Sequence, residues 1–186
     1  MRESFISGVD IHTKTASAVF GVPEEEVTSE MRKSAKAVNF GIVYGIGGFS
    51  LAKDIGTSVA EATQYIKNYK MNYPDIDRYL EEVAKDAERD GYTTTTFGRR
   101  RYIPEINSQN GNMRAFGRRV AMNAPIQGTA ADIMKLAMLR VDSALKDAGL
   151  DARIVMQVHD ELVIEVRDDQ IDKCRELLRS AMESAA

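Results

Sequence analysis

The chain has 186 residues, 44% hydrophobic and 28% charged, and its 25 Lys and Arg against 28 Asp and Glu leave a formal net charge of −3. That balance excludes a uniformly basic nucleic-acid coat protein. The single cysteine, Cys174, excludes an internal disulfide framework and a multi-cysteine zinc site, and fits a reducing cytoplasm. No apolar run approaches the ~20 residues of a membrane span, and Met1-Arg2-Glu3-Ser4 lacks the apolar core of a signal peptide.

In chain order, Asp10 is placed to cap a short helix through Phe20 that Gly21 stops. Pro23 followed by three glutamates reads as a one- or two-turn helix start. A longer helix, from about Ser29 to Tyr44, ends in the cluster Gly45, Gly47, Gly48. Ser58 with Glu61 is a capping box for a helix running to about Asn72, and another spans Asp75 to Asp90 before Gly91. Tyr92 to Phe97 reads as a threonine-rich strand, turning at Gly98 into a second short strand at Tyr102-Ile103. After a polar loop at 108–112, a helix from Asn112 to Asn123 is expected to break at Pro125. A further helix should then continue to Lys146, burying Ile133, Leu136, Ala137, Val141, Ala144 and Leu145. Two alternating strands within Ala152 to Glu165 meet at His159-Asp160, and a last helix lies in Asp168 to Ala186. The fold class is α+β, mostly helical, in one continuous unit without repeats or linkers.

Charge is partitioned along this order. Residues 97–119 carry six arginines against Glu105 alone, whereas 75–90 and 160–186 are each net acidic. A compact basic stretch can bind polyanions in an acidic chain, although a solvated basic face explains the same count.

Arg32, Lys36, Phe40 and Tyr44 recur at steps of four, a stripe ~18 Å long on one side of a helix. Cations above and rings below suit a nucleotide, the cations for its phosphates and the rings for base or sugar. On spacing alone, a helix that buries its two rings and solvates its two cations is the plainer reading.

The letters around the stripe decide between them. Residues 31–45, Met-Arg-Lys-Ser-Ala-Lys-Ala-Val-Asn-Phe-Gly-Ile-Val-Tyr-Gly, closely resemble motif B of the DNA polymerase I family, family A. The resemblance implies that this is the fingers helix that binds the incoming deoxynucleoside triphosphate through Arg32, Lys36, Phe40 and Tyr44. Lys36 would also be catalytic, stabilising charge on the phosphates, and His12 would contact the triphosphate. Phe97 to Tyr102 with Ile106-Asn107-Ser108 resembles the family's basic turn and following loop. Arg119, Asn123 and Gln127 resemble its helix pair on primer-template DNA, and Phe49 stands where it could stack on template.

The turn at His159-Asp160 lacks the usual glycine or asparagine, which suggests that a side chain is needed there for something else. Gln157 to Glu161 is similar to motif C of the same family. By that resemblance Asp160 is a catalytic metal ligand, Glu161 an auxiliary acid of the same magnesium site, and His159 a primer-end contact. No motif A run, an aspartate followed by a tyrosine-serine-glutamine type sequence, occurs in the 186 residues, nor does a closing strand after the last helix.

The resemblance therefore implies a fragment. Residues 1–91 would form the fingers region with its nucleotide-binding helix, and 92–186 the remainder of fingers and palm with the metal-binding hairpin. The implied whole is a cytoplasmic DNA-directed DNA polymerase of replication or repair. It would act on primer-template DNA and deoxynucleoside triphosphates with Mg2+, and this piece would need the rest of the chain, motif A strand and thumb, with no membrane partner. The isolated piece is expected to be inactive. The alternative is a non-catalytic nucleic-acid or nucleotide-binding protein derived from a polymerase, and the genomic sequence immediately upstream of Met1 would separate the two.

Overall fold

The computed structural model describes Ser4 and residues 6–186; Glu3 and Phe5, like Met1 and Arg2, lie outside the described residues. Helix boundaries follow side-chain chemistry. Asp10 caps α1 (Ile11–Phe20), accepting from the His12 N–H at 3.0 Å, and Gly21 ends the helix at φ 71°. The three glutamates form a single 3-10 turn, Glu24–Glu26. Thr28 caps α2 (Ser29–Val43) by accepting from the Met31 N–H at 3.2 Å.

The end of α2 needs its glycines. Gly45 N–H donates to the Ile42 carbonyl at 2.9 Å and Ile46 N–H to the Gly41 carbonyl at 2.8 Å, a Schellman closure with Gly45 at φ 68°. A Cβ on Gly41 would lie 2.6 Å from Ile46 Cγ2, so Gly41 makes room for the residue that closes the helix.

The glycine cluster does more than stop α2, and here the structure departs from the sequence reading. Gly47 caps a separate helix, α3 (Gly48–Ile55), where none was expected. A Cβ on Gly48 would fall 2.2 Å from Thr63 Oγ1, so glycine there lets α3 approach α4 (Val59–Asn72). The expected capping box opens α4, with Glu61 N–H donating to Ser58 Oγ at 3.2 Å and Ser58 N–H to Glu61 Oε2 at 3.1 Å. The Thr57 and Ser58 hydroxyls hold the Glu61 carboxyl down at about 2. Pro74 starts α5 (Pro74–Asp90), which ends at Gly91.

The chain forms two units, one of residues through Thr93 with Arg100–Ala124, the other of Thr94–Arg99 with Pro125–Ala186. In the first, α1 to α4 pack around Val19, Val38, Ile42, Leu51, Ala62 and Tyr69, with Leu80 of α5 joining them. Burial pushes the Tyr69 hydroxyl up to about 12. A smaller cluster of Ala87, Ile103, Ile106 and Ala121 seats α5 on the segment 103–106. Gly117 lets that segment pass close, since a Cβ there would lie 2.6 Å from the Ile106 backbone.

Strand β1 (Tyr92–Thr94) is shorter than expected, because Thr95 N–H donates to the Arg99 carbonyl and Gly98 N–H to the Thr95 carbonyl, both at 2.9 Å, closing the turn early. Its partner β2 is Arg100–Tyr102, and a 3-10 turn at Pro104–Asn107 follows.

The expected break at Pro125 does not occur. Residues Gly111–Asp147 form one helix, α6, with Pro125 inside it. Proline removes one backbone donor and crowds the preceding turn at a cost of about 3 kcal/mol, which the long helix tolerates, and the two units divide at this residue.

In the second unit, Val141 and Leu145 of α6 pack with Cys174 and Ala181 of α7 (Ile171–Glu183) beneath a hairpin. The hairpin is β3 (Ala152–Val158) with β4 (Glu161–Val166), antiparallel, with Ile154 opposite Ile164 and Val158 opposite Glu161. Ile154, Leu162 and Ile164 face the core, while Val155, Met156 and Val163 are exposed, the register shifting between Ile154 and Met156. Ile133, expected in the buried stripe of α6, is exposed; that stripe is buried only at Ala137, Val141 and Leu145. No described helix is long and apolar enough to cross a membrane.

Candidate functional site

The stripe on α2 is not a core stripe. Phe40 is 51% exposed and Tyr44 49%, while Ala35, Val38, Gly41 and Ile42 on the other face are buried. The plainer reading, with buried rings, is thereby corrected: α2 reaches the core through small and β-branched residues and leaves both rings accessible. Lys36 Nζ lies 6.0 Å from the Phe40 ring centre, at the outer reach of a cation–π contact.

Helix α1 brings His12 to the same face, its ring centre 6.0 Å from that of Phe40. Asn39 Nδ2 is 3.0 Å from His12 Nδ1. Asp10 caps α1 and also accepts from Arg32 Nε at 2.5 Å, so one carboxylate fixes both the start of α1 and the guanidinium of α2. The Arg32 hydrogen bond, with those from His12 N–H and Thr13, holds the Asp10 carboxyl well below the usual carboxylate range. Burial lowers the His12 pKa; Asp10 opposes this, and Arg32 and Lys36 add to it.

Asp10 and Asn39 are the residues whose roles the sequence reading missed. Asp10 was legible as a cap, but its pairing with Arg32 joins positions far apart in sequence and leaves no local pattern.

Beyond the end of α2, Phe40, Gly41, Tyr44 and Gly45 line an open groove of about 620 Å³ together with Ser50, Asp54 and Arg119. That volume lies in the range of small-ligand sites. Gly45 permits the approach of α6: a Cβ there would fall 2.7 Å from Met122 Cε and 2.9 Å from Arg119 Cγ. Asn123 Nδ2 donates to the Arg119 carbonyl at 2.8 Å, and its buried Oδ1 has no hydrogen-bond partner among the described residues. Phe49 stands on α3, 76% exposed and outside the lining of this groove.

The basic stretch divides into two kinds of arginine. Arg118 bridges Glu81 and Glu88 of α5, at 2.9 Å to the former, and Arg99 pairs with Asp132 and donates to the Gly128 carbonyl at 3.3 Å. Arg100 lies over the Tyr92 ring at 4.7 Å, and Arg114 donates to the Ser108 carbonyl at 3.1 Å. Arg101 and Arg119 are exposed and make no ion pair among the described residues.

In the second unit, Gln127 of α6 lines a groove of about 620 Å³ with Gln157, His159 and Asp160; Glu161 does not line it. His159 has φ 50°, the one positive-φ non-glycine residue among those described, at the first turn position of the hairpin. Gln157 Nε2 donates to the His159 carbonyl at 2.6 Å and braces the turn. Among the described residues, no three His, Cys, Asp or Glu side chains gather as a metal site.

Comparison with known proteins places the chain in a family. The model of DNA polymerase family A matches residues 1–186. DNA polymerase I of Pseudomonas aeruginosa is 50% identical over 184 residues, covering 99% of this chain and 20% of that protein. DNA polymerase I of Bacillus caldotenax is 47% identical over 185 residues, all of this chain and 21% of that protein. The chain thus spans about a fifth of the length of these relatives. Among solved structures, the POL domain of Pol1 from M. smegmatis, in complex with DNA primer-template and dNTP, matches with a TM-score of 0.90 at 44% identity, over 99% of this chain and 32% of that one. The chain belongs to DNA polymerase family A.

Proposed function

We propose that the chain is the nucleotide- and DNA-binding part of a DNA-directed DNA polymerase. In this reading residues 1–91 are fingers, and 92–186 complete the fingers and contribute the palm hairpin. One observation carries it: α2 leaves Phe40 and Tyr44 accessible in line with Arg32 and Lys36, although burying two rings would favour folding. A triphosphate fits His12, Arg32 and Lys36, and the base and sugar fit Phe40 and Tyr44. The relative solved with primer-template and dNTP supports the choice of these ligands.

Arg32 enters with its Nε held by Asp10, which leaves its terminal N–H groups for phosphate oxygens. Lys36 brings a second, mobile cation to charge developing on the phosphates. On the DNA side, Arg119, Asn123, Gln127, Phe49 and His159 are the proposed contacts. Asp160 and Glu161 offer the hard carboxylate oxygens that magnesium takes, and with no third ligand gathered beside them among the described residues they fit part of such a site. Asp160 would hold the ion with Glu161 as the auxiliary acid, and the bound ion would supply charge stabilisation at phosphoryl oxygens.

The test is binding of a deoxynucleoside triphosphate to this chain by calorimetry. Lys36→Ala is expected to weaken it by about 1.5–3 kcal/mol, as for one charge-assisted bond. Equal affinity of parent and Lys36→Ala would return the stripe to a solvated helix face.

A further inference from the structure

His12 is held from behind by a chain of hydrogen bonds that runs into the core. Tyr73 Oη is 3.4 Å from Thr15 Oγ1, Thr15 Oγ1 is 3.2 Å from Asn39 Oδ1, and Asn39 Nδ2 is 3.0 Å from His12 Nδ1. Thr15 Oγ1 can accept from the Tyr73 hydroxyl and still keep its own hydrogen for another partner. Thr15 is fully buried, and its own hydrogen goes to the Asn39 carbonyl oxygen. The amide of Asn39 is therefore turned with its NH2 toward His12.

We propose that Asn39 is a positioning residue that fixes the tautomer of His12, keeping Nδ1 bare and the proton on Nε2, so that a donor N–H is offered to a phosphate oxygen. This rests on the triphosphate reading above. The direction matters because a neutral imidazole donates from one nitrogen only. With the proton on Nδ1, His12 would present a lone pair at Nε2 and repel the anion it is meant to hold. The charged groups facing the ring are Asp10 of its own cap and Arg32 and Lys36 of α2; Arg32 is already paired with Asp10. Burial and both cations act against the imidazolium, so the neutral tautomer is the species to be set.

The experiment is nitrogen-15 NMR of the two ring nitrogens of His12 in the 186-residue chain. Its resonances are assigned against His159, the only other histidine, by His159→Gln. The expected spectrum has Nε2 protonated and Nδ1 bare. Asn39→Asp, whose carboxylate only accepts, should reverse the tautomer. Thr15→Val removes the hydrogen that orients the amide without changing charge, and should mix the two forms. Inorganic tripolyphosphate should shift the parent Nε2 signal, and Thr15→Val should bind it about twofold more weakly once the two tautomers are equally populated.

A parent with the proton on Nδ1, or variants that both keep the parent tautomer, would overturn the role of Asn39. If Asn39→Asp does not fold, Thr15→Val decides alone. A parent with the expected tautomer and no response to tripolyphosphate would overturn the phosphate reading instead, with the tautomer assignment supported.

Discussion

His159 occupies a left-handed conformation at a turn position where glycine is usual, at a cost of about 1–3 kcal/mol. His159→Gly should therefore raise stability by about 0.5–1 kcal/mol in urea unfolding while weakening binding to a primer terminus; a variant less stable than the parent would mean that the imidazole supports the fold. Gly45 makes the opposite case. A methyl group there meets Arg119 and Met122 and must adopt φ 68°, so Gly45→Ala should cost about 1–3 kcal/mol and disturb the groove through Arg119. An unchanged unfolding midpoint would show that α6 is free to give way. His12 adds a pH dependence. Because burial lowers its pKa, the unfolded chain binds a proton that the folded chain resists. Its contribution is thus complete above the ordinary value of about 6.5 and is lost as pH falls through the folded value. Between pH 7 and 5 the parent should lose more stability than His12→Gln.

At the scale of elements, the basic stretch separates into arginines that hold the fold and arginines that are exposed without an ion pair among the described residues, the latter being the proposed DNA contacts. Arg118 ties α6 to two carboxylates of α5, so Arg118→Ala should cost about 1 kcal/mol and leave the salt dependence of duplex binding nearly unchanged. Arg101→Ala and Arg119→Ala should each lower the log–log salt slope by about 0.9, as for one lost phosphate contact, with little effect on stability. Equal slopes for all three variants would dissolve the distinction. The same contrast explains what could be read in advance. Asp10, Thr28 and the Ser58–Glu61 box are contacts within three residues, and their helices start where the sequence says. Helix α3 was not legible because Gly48 answers to Thr63 on another helix, and glycine in isolation signals a stop. Pro125 signals a break that the length of α6 overrides. The stripe of the site was legible as spacing, whereas the exposure of its rings and the pairing of Asp10 with Arg32 depend on tertiary packing.

At the scale of the molecule, the proposed nucleotide residues belong to one unit, and Gln127, His159 and Asp160 to the other, so binding and chemistry can be tested separately. Two-metal phosphoryl transfer needs both ions within about 4 Å, clamping the attacking and leaving oxygens. Asp160 and Glu161 are adjacent, Glu161 opens β4 opposite Val158, and no third ligand gathers with them among the described residues. Asp10 cannot stand in, because its carboxylate is already shared by Arg32, Thr13 and the His12 N–H. A protein made of these 186 residues is therefore expected to bind deoxynucleoside triphosphate or duplex weakly and to show no magnesium-dependent extension of a labelled primer on a denaturing gel, even at high protein concentration. An extension ladder that Asp160→Ala abolishes would mean that two adjacent carboxylates suffice for a site that two-metal chemistry otherwise builds with a further carboxylate strand.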